Sequence, residues 1–129
     1  MRAQLLAAAL AALASNALAD HARAYEGLVE KRVFELGPYT TANGAEIARV
    51  RVGWEVYGEL NAARDNAILI THFFSGTSHA AGRYTEDGAR GYWDDLICAG
   101  CPLDTERFYV LSSDTLVNLN TGDPNVTTT

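Results

Sequence analysis

The sequence predicts an α/β fold that begins with an antiparallel hairpin and continues with further strands of a sheet. Residues 48–57 alternate apolar and polar side chains, which is the period of a strand with one buried face. Asn43-Gly44 precedes this run and is a strong hairpin signal. Residues 67–71, AILIT, are apolar without alternation, as expected for a strand covered on both faces.

The composition is that of one small, acidic globular domain. The chain has 129 residues, of which 48% are hydrophobic and 20% charged, and its formal net charge is −6. The basic residues form no stripe. This pattern argues against a nucleic acid or an anionic membrane as a partner.

Residues 1–19 have the layout of a secretory signal peptide, since Arg2 is followed by an apolar, Ala-rich run that ends at Ala17-Leu18-Ala19. Cleavage after Ala19 would start the mature chain at Asp20 and place it in the periplasm or outside the cell. Two alternatives stay open. One is an uncleaved anchor, although the run is short for a membrane span. The other is a mis-assigned start codon upstream of a cytoplasmic protein.

The first half of the chain is expected to form the hairpin. After a polar lead over residues 20–30, a first strand is predicted at residues 31–39, and the Asn43-Gly44 turn joins it to the second strand at residues 48–57. We expect the apolar set of the second strand to be buried and the opposite set to be wetter. The expected buried set is Ala48, Val50, Val52, Trp54 and Val56, and the wetter set is Arg49, Arg51, Gly53, Glu55 and Tyr57.

The following segments alternate a strand with loops. Residues 67–71 are predicted as the third strand, and residues 79–91 as a Gly-rich surface excursion without a helical face. Residues 92–97 are predicted as one or two helical turns that end before Pro102. The side chains expected to pack at helical spacing are Trp93, Leu96 and Ile97.

Polar residues follow the third and fourth strands, at the positions of crevice residues in open α/β sheets. His72 to Gly76 come after the third strand. The fourth strand is predicted at residues 108–112, FYVLS, and Ser113-Asp114 follow it. A turn of this kind leaves backbone N–H groups pointing into the crevice, where they can hold a developing oxyanion.

Three spaced blocks resemble a known family. They are residues 57–61, YGELN; residues 66–82, NAILITHFFSGTSHAAG; and residues 92–110, YWDDLICAGCPLDTERFYV. Over about residues 46–118 the chain is similar to the amino-terminal part of the homoserine O-acetyltransferases, which are acyltransferases with an α/β-hydrolase fold. The resemblance implies the strand order 1-2-4-3-5. It also implies that residues 20–129 are an amino-terminal fragment in which the third strand keeps an open edge.

The same resemblance implies the chemistry. The whole enzyme would move an acetyl group from acetyl-CoA to a hydroxyl of a small-molecule substrate through an acyl-Ser intermediate, with no bound cofactor or metal, and the family is often dimeric. The fragment would be inactive, because the triad residues lie outside it. One oxyanion donor would be the backbone N–H of Phe74, where the family usually carries Leu, and Ser75 replaces its Thr. The alternative is that residues 72–76 are a tight turn capped by buried aromatic side chains.

Ser78 and the three histidines are further candidates. Gly76-Thr77-Ser78-His79-Ala80 approaches the nucleophile motif G-x-S-x-G, but it ends in Ala and lies beyond the strand end. We therefore favour Ser78 as a loop residue bonded to backbone over Ser78 as the nucleophile. His72 is expected to bond backbone, His79 is open between a structural and a catalytic role, and His21 is expected to be solvated.

Cys98 and Cys101 form one C-x-x-C. A redox pair is one interpretation, but the segment is predicted in a loop, so a structural disulfide or two inert thiols are favoured. A zinc site would need two more ligands, and none is spaced for it.

Two features leave the reaction open. Residues 116–129 depart from the family pattern, so they leave the substrate open, and a secretory signal conflicts with acetyl-CoA, which is a cytosolic donor. An exported esterase of the same fold, in which water completes the cycle, is therefore the second hypothesis. The third is a non-catalytic secreted domain with a Cys98–Cys101 bridge.

Overall fold

The computed structural model describes residues 24–127. The predicted signal peptide and His21 lie outside these residues. The described residues contain strands in the order β1 (Arg32–Leu36), β2 (Tyr39–Thr40), β3 (Glu46–Ile47), β4 (Val50–Tyr57), β5 (Ala67–Ile70), β6 (Ile97–Cys98), β7 (Leu103–Asp104) and β8 (Tyr109–Ser113).

The main sheet has four strands in the order β1-β4-β8-β5. β4 is antiparallel to both β1 and β8, whereas β5 runs parallel to β8. The predicted first to fourth strands are β1, β4, β5 and β8, so the observed order is 1-2-4-3. This is the order that the resemblance to α/β-hydrolase-fold enzymes implies for the first four strands, and β5 lies on an open edge of the described sheet.

The predicted hairpin is present, but its strands are interrupted. β1 ends at Leu36, immediately before Gly37-Pro38, because proline has no N–H to donate to a ladder. β2 and β3 then form a separate short hairpin around the Asn43-Gly44 turn. In that turn Thr41 N–H donates to the Ala45 carbonyl at 2.8 Å, and Gly44 has a φ of +85°, which glycine adopts without steric cost.

The predicted burial of the second strand is confirmed at Val50 and wrong beyond it, where the face expected to be wetter is the more buried one. In β4 the set with Gly53, Glu55 and Tyr57 is buried, whereas Val52, Trp54 and Val56 are half-buried. Period-two alternation decides which side chains share a face, but not which face the rest of the chain covers. A later part of the chain, residues 76–94, lies over the polar face of β4. Its Ser78, His79 and Tyr84 side chains all hydrogen-bond to Glu55.

The predicted surface excursion is also corrected, since part of it belongs to the core. Ala80 and Ala81 are fully buried with Tyr57 and Val110. Gly91 passes so close to Ala80 that a Cβ there would lie 2.2 Å from the Ala80 carbonyl carbon. Only glycine permits this approach, which brings residues 91–94 against the excursion.

The helix predicted at residues 92–97 is wrong, because residues 92–96 form a turn that leads into β6. Trp93 N–H donates to the Ala80 carbonyl at 2.7 Å, so the segment is bonded to the excursion and not only to itself. Ile97 is fully buried, but Trp93 and Leu96 stay 40% and 37% exposed. The described part of the chain contains no helix that is long and apolar enough to cross a membrane.

Candidate functional site

The β5 turn, residues 73–76, lies at the carboxyl end of the edge strand. Gly76 N–H donates to the Phe73 carbonyl at 2.7 Å and closes the turn. Phe73 and Phe74 are 59% and 88% exposed, so the alternative of a turn capped by buried aromatic side chains is wrong. Within residues 24–127 the Phe74 N–H has no hydrogen-bond acceptor. A free N–H at this place is what an oxyanion donor requires, and the assignment of Phe74 stays a prediction.

His72 precedes the turn and contacts its backbone. The His72 Nδ1 lies 2.7 Å from the Phe73 carbonyl oxygen, so the predicted bond to backbone is confirmed. The His72 Nε2 is buried and has no partner among the described residues. On the other side of the turn, Asn120 Nδ2 donates to the Ser75 carbonyl at 3.2 Å.

A second polar site lies inside the fold, on the face of β4 that the sequence predicted to be wetter. We call it the carboxylate cluster; it consists of Glu55, Asp114, Lys31, Ser78 and His79. Glu55 is fully buried. Its carboxylate accepts hydrogen bonds from Ser78 Oγ and from His79 Nδ1, each at 3.1 Å. The hydroxyls of Tyr57 and Tyr84 also donate to Glu55.

Asp114 follows β8 and joins the same cluster from the neighbouring strand. One carboxylate oxygen accepts the Ser78 N–H at 2.7 Å. The other accepts Lys31 Nζ and the Thr127 N–H, each at 3.1 Å. Gly53 makes room for this carboxylate, because a Cβ there would lie 2.3 Å from Asp114 Oδ2.

The electrostatics of the cluster favour its charged form. Burial alone would raise the pKa of Glu55, but hydrogen bonds from His79, Tyr84 and Tyr57 outweigh it and lower the pKa. Burial alone would lower the pKa of His79, but the hydrogen bond and negative charge of Glu55 outweigh it and raise the pKa. Burial and the Glu55 charge raise the pKa of both tyrosines, which keeps them neutral donors.

Ser78 is therefore a structural residue of the carboxylate cluster. It is fully buried, and its hydroxyl donates to Glu55, with no imidazole as its base. The prediction that its side chain bonds backbone is corrected, because the partner is a carboxylate. Sequence reasoning missed Glu55 and Lys31. The available signal was Glu55 itself, an acidic residue in the middle of a strand. A carboxylate that becomes buried there needs hydrogen-bond or ionic partners.

Cys98 and Cys101 form a disulfide in which their Cα atoms are 5.0 Å apart. Both residues are buried, at 2% and 7% exposure. The bridge excludes the interpretation of two inert thiols, and a structural disulfide stays favoured over a redox pair. No group of three or more His, Cys, Asp or Glu side chains within residues 24–127 is arranged to hold a metal ion.

Comparisons with known proteins give acyltransferases among the curated relatives. No family model matches the chain. The homoserine O-succinyltransferase of Stutzerimonas stutzeri is 46% identical over 96 residues, which are 73% of this chain and 25% of the relative. The chain thus spans about a quarter of the length of the curated relatives it matches.

Solved structures agree on the fold. The homoserine O-acetyltransferase from Bacillus anthracis matches with a TM-score of 0.75 and 47% identity, over 80% of this chain and 28% of that protein. Esterase E22 matches with a TM-score of 0.75 and 60% identity, over 79% of this chain and 28% of that protein. The matched region thus occurs in proteins named as acyltransferases and in a protein named as an esterase.

Proposed function

This chain is related by sequence to the homoserine O-acyltransferases and shares the α/β-hydrolase fold, and on that premise we propose that it contributes the oxyanion side of an acyl-transferring serine enzyme. The observation that carries the proposal is the Phe74 N–H, which has no acceptor among residues 24–127. In this fold one oxyanion donor comes from the loop after the third strand, and the other follows the nucleophile. The β5 turn occupies the first of these places.

The proposed reaction passes through an acyl-Ser intermediate. The nucleophilic serine attacks the acyl carbonyl, whose oxygen becomes an oxyanion held by the Phe74 N–H and by the N–H after the serine. The thiolate of coenzyme A leaves and takes up a proton. The hydroxyl of homoserine then attacks the acyl-Ser carbonyl, the bond to the serine oxygen breaks, and acylated homoserine and the free serine are released. Ser78 is buried in the carboxylate cluster. We therefore propose that the nucleophile, its acid and its histidine are not among residues 24–127.

Acetyl-CoA is the proposed acyl donor. The Bacillus anthracis protein is named as an acetyltransferase and the Stutzerimonas stutzeri protein as a succinyltransferase. The described residues carry half of an oxyanion hole, which contacts the carbonyl that both acyl groups share. The donor is therefore tested by direct competition between acetyl-CoA and succinyl-CoA.

An esterase is the second candidate, because esterase E22 is 60% identical to this chain in the matched region. An esterase and an acyltransferase form the same acyl-enzyme and differ in whether water or an alcohol completes the cycle. Export would favour the esterase. We propose export from the layout of residues 1–19, with the buried Cys98–Cys101 disulfide as support. Cell fractionation with amino-terminal sequencing tests it, and a cytoplasmic protein that retains Met1 would refute it.

The deciding experiment is an assay of the polypeptide expressed from the complete gene. Coenzyme A release is measured from acetyl-CoA and from succinyl-CoA, with and without L-homoserine, together with hydrolysis of p-nitrophenyl acetate. Release that requires homoserine supports the transferase. Ester hydrolysis with no response to homoserine or coenzyme A supports the esterase. Absence of all three activities in a folded protein refutes both and leaves the non-catalytic domain.

A further inference from the structure

The peptide group between Phe73 and Phe74 has both of its polar atoms at the β5 turn. Its carbonyl accepts the Gly76 N–H and faces His72 Nδ1, each at 2.7 Å. Its N–H is the free N–H of Phe74. A trans peptide is planar, so its C=O and N–H point in opposite directions. Whatever holds the carbonyl therefore also sets the direction of the Phe74 N–H.

The bond to His72 defines which ring nitrogen carries the proton. A carbonyl oxygen only accepts, so His72 Nδ1 must donate to it. In the neutral ring the proton is then on Nδ1, and Nε2 keeps a lone pair. His72 Nε2 is buried with no partner among residues 24–127. No acceptor in this part of the chain therefore favours the other tautomer, in which Nε2 carries the proton.

His72 shares the restraint of this peptide with the Gly76 N–H and with the edge-on contact between the Phe73 and Tyr92 rings. Phe73 and Phe74 are mostly exposed, and many turns of this kind exist without their closing hydrogen bond. Asn120 restrains the Ser75 carbonyl, which belongs to a different peptide. His72, in contrast, packs directly on the turn, because a Cβ at Gly76 would lie 2.9 Å from the His72 Cβ.

We propose that His72 is a positioning residue, which fixes the Phe73 carbonyl through Nδ1 and so aims the Phe74 N–H at the oxyanion. The structural half of this proposal concerns only the described residues. Its catalytic half rests on the proposed function. His72 touches no reacting atom and acts only through the peptide that follows it.

Two substitutions separate this role from a general structural one. In His72→Asn the side-chain amide can donate from nearly the position of Nδ1, whereas His72→Leu fills the space without a donor. The first readout is NMR of the 129-residue chain. We expect ¹⁵N shifts of His72 that report a proton on Nδ1. We also expect a shifted or broadened Phe74 amide signal in His72→Leu and a restored one in His72→Asn.

The second readout is kinetic and uses the polypeptide from the complete gene. His72→Leu is expected to lower kcat by about 10- to 100-fold, with a smaller change in KM, because the misplaced donor acts on the transition state. His72→Asn should recover most of this loss. In a Phe74→Pro background, which has no N–H to aim, His72→Leu should cause no further loss of kcat.

The outcomes distinguish the two proposals. A proton on Nε2, or an unchanged Phe74 amide in a folded His72→Leu variant, overturns the role of His72. An additive loss of kcat in the Phe74→Pro background overturns its action through Phe74. A wild-type protein that shows the expected NMR result but no acyl-transfer or esterase activity refutes the proposed function and leaves the orientation of the peptide established.

Discussion

The β5 turn and the carboxylate cluster differ in whether their polar groups have hydrogen-bond partners. In the cluster, Glu55 and Asp114 are buried and every carboxylate oxygen has a donor. In the turn, the Phe74 N–H is at the surface of the fold without an acceptor in the described residues. A saturated buried network holds elements together, whereas a pre-aimed free donor is able to bind a new charge. This contrast is consistent with a structural role for the cluster and with the catalytic role that we propose for the β5 turn.

The largest expected effect is on stability, at Glu55. Glu55→Gln removes the charge that balances Lys31 and His79 and places amide hydrogens against hydroxyl and imidazole donors. We expect the free energy of unfolding to fall by about 3–5 kcal/mol, as for other broken buried pairs. Urea denaturation of the wild-type protein and of the Glu55→Gln variant measures this difference.

The matched control is Glu35→Gln, whose ion pair with Arg51 at 3.1 Å is exposed on both sides. It should cost about 1 kcal/mol or less. Equal losses in the two variants would mean that the cluster is no more than a surface contact, and the contrast between the two sites would fail.

The second effect is on catalysis, at Phe74. This residue is the second position of the β5 turn, where proline is favoured, so Phe74→Pro removes the N–H with little strain. We expect kcat of the whole enzyme to fall by about 10²- to 10³-fold. Phe74→Leu keeps the N–H and is the control, with activity near that of the wild type. Full activity in the proline variant would remove Phe74 from the oxyanion hole.

A smaller effect separates Ser78 from a nucleophile. Ser78→Ala removes the hydroxyl that donates to Glu55 at 3.1 Å and should lower the free energy of unfolding by about 1.5–3 kcal/mol. Because the β5 turn is unchanged, kcat should stay within about twofold at a temperature where the variant is folded. Loss of all turnover in a folded Ser78→Ala protein would make Ser78 the nucleophile and move chemistry into the cluster.

The smallest effect is a pH dependence of stability. The pKa of Glu55 is lowered from 4.5, so its contribution is present above that value and is lost as the pH falls through the folded pKa. The pKa of His79 is raised from 6.5, so its contribution is complete below that value and is lost as the pH rises through the folded pKa. Lys31, which also faces the cluster, opposes the rise at His79.

These two groups together predict that the cluster is most stabilising between the ordinary pKa values of Glu55 and His79, at about pH 5–6. Denaturation midpoints across the pH range measure this profile. His79→Gln should remove the decline on the alkaline side and keep the decline on the acid side. A profile that is the same in wild type and His79→Gln would show that the ion pair with Glu55 contributes nothing.

Much of the fold was predictable because its signals are local. Asn43-Gly44 marked its turn, and the apolar runs marked β5 and β8 within one residue of their observed bounds. The strand order came from the family resemblance and is the observed one. The helix predicted at residues 92–97 was wrong for a non-local reason, because the Trp93 N–H bonds to the carbonyl of Ala80, which lies in an earlier segment.

The candidate site was predictable only in part. The position of the β5 turn followed from a strand that ends at a Gly-rich segment, and Phe74 followed from the resemblance. Glu55 was assigned to the wetter face, because alternation carries no information on what covers a strand. Ser78 and His79 reach Glu55 across 23 and 24 residues of sequence, a separation at which no local pattern reports a contact.

The sequence by itself determined the approximate positions of the four strands of the main sheet, since a two-residue period, a proline and a turn dipeptide act on neighbouring residues. Only the tertiary structure decided which face of β4 is buried. Residues 76–94 return over that face, and a buried carboxylate is stable there because donors from distant segments surround it. The same packing placed His72 against its own turn and left the Phe74 N–H without an acceptor among residues 24–127.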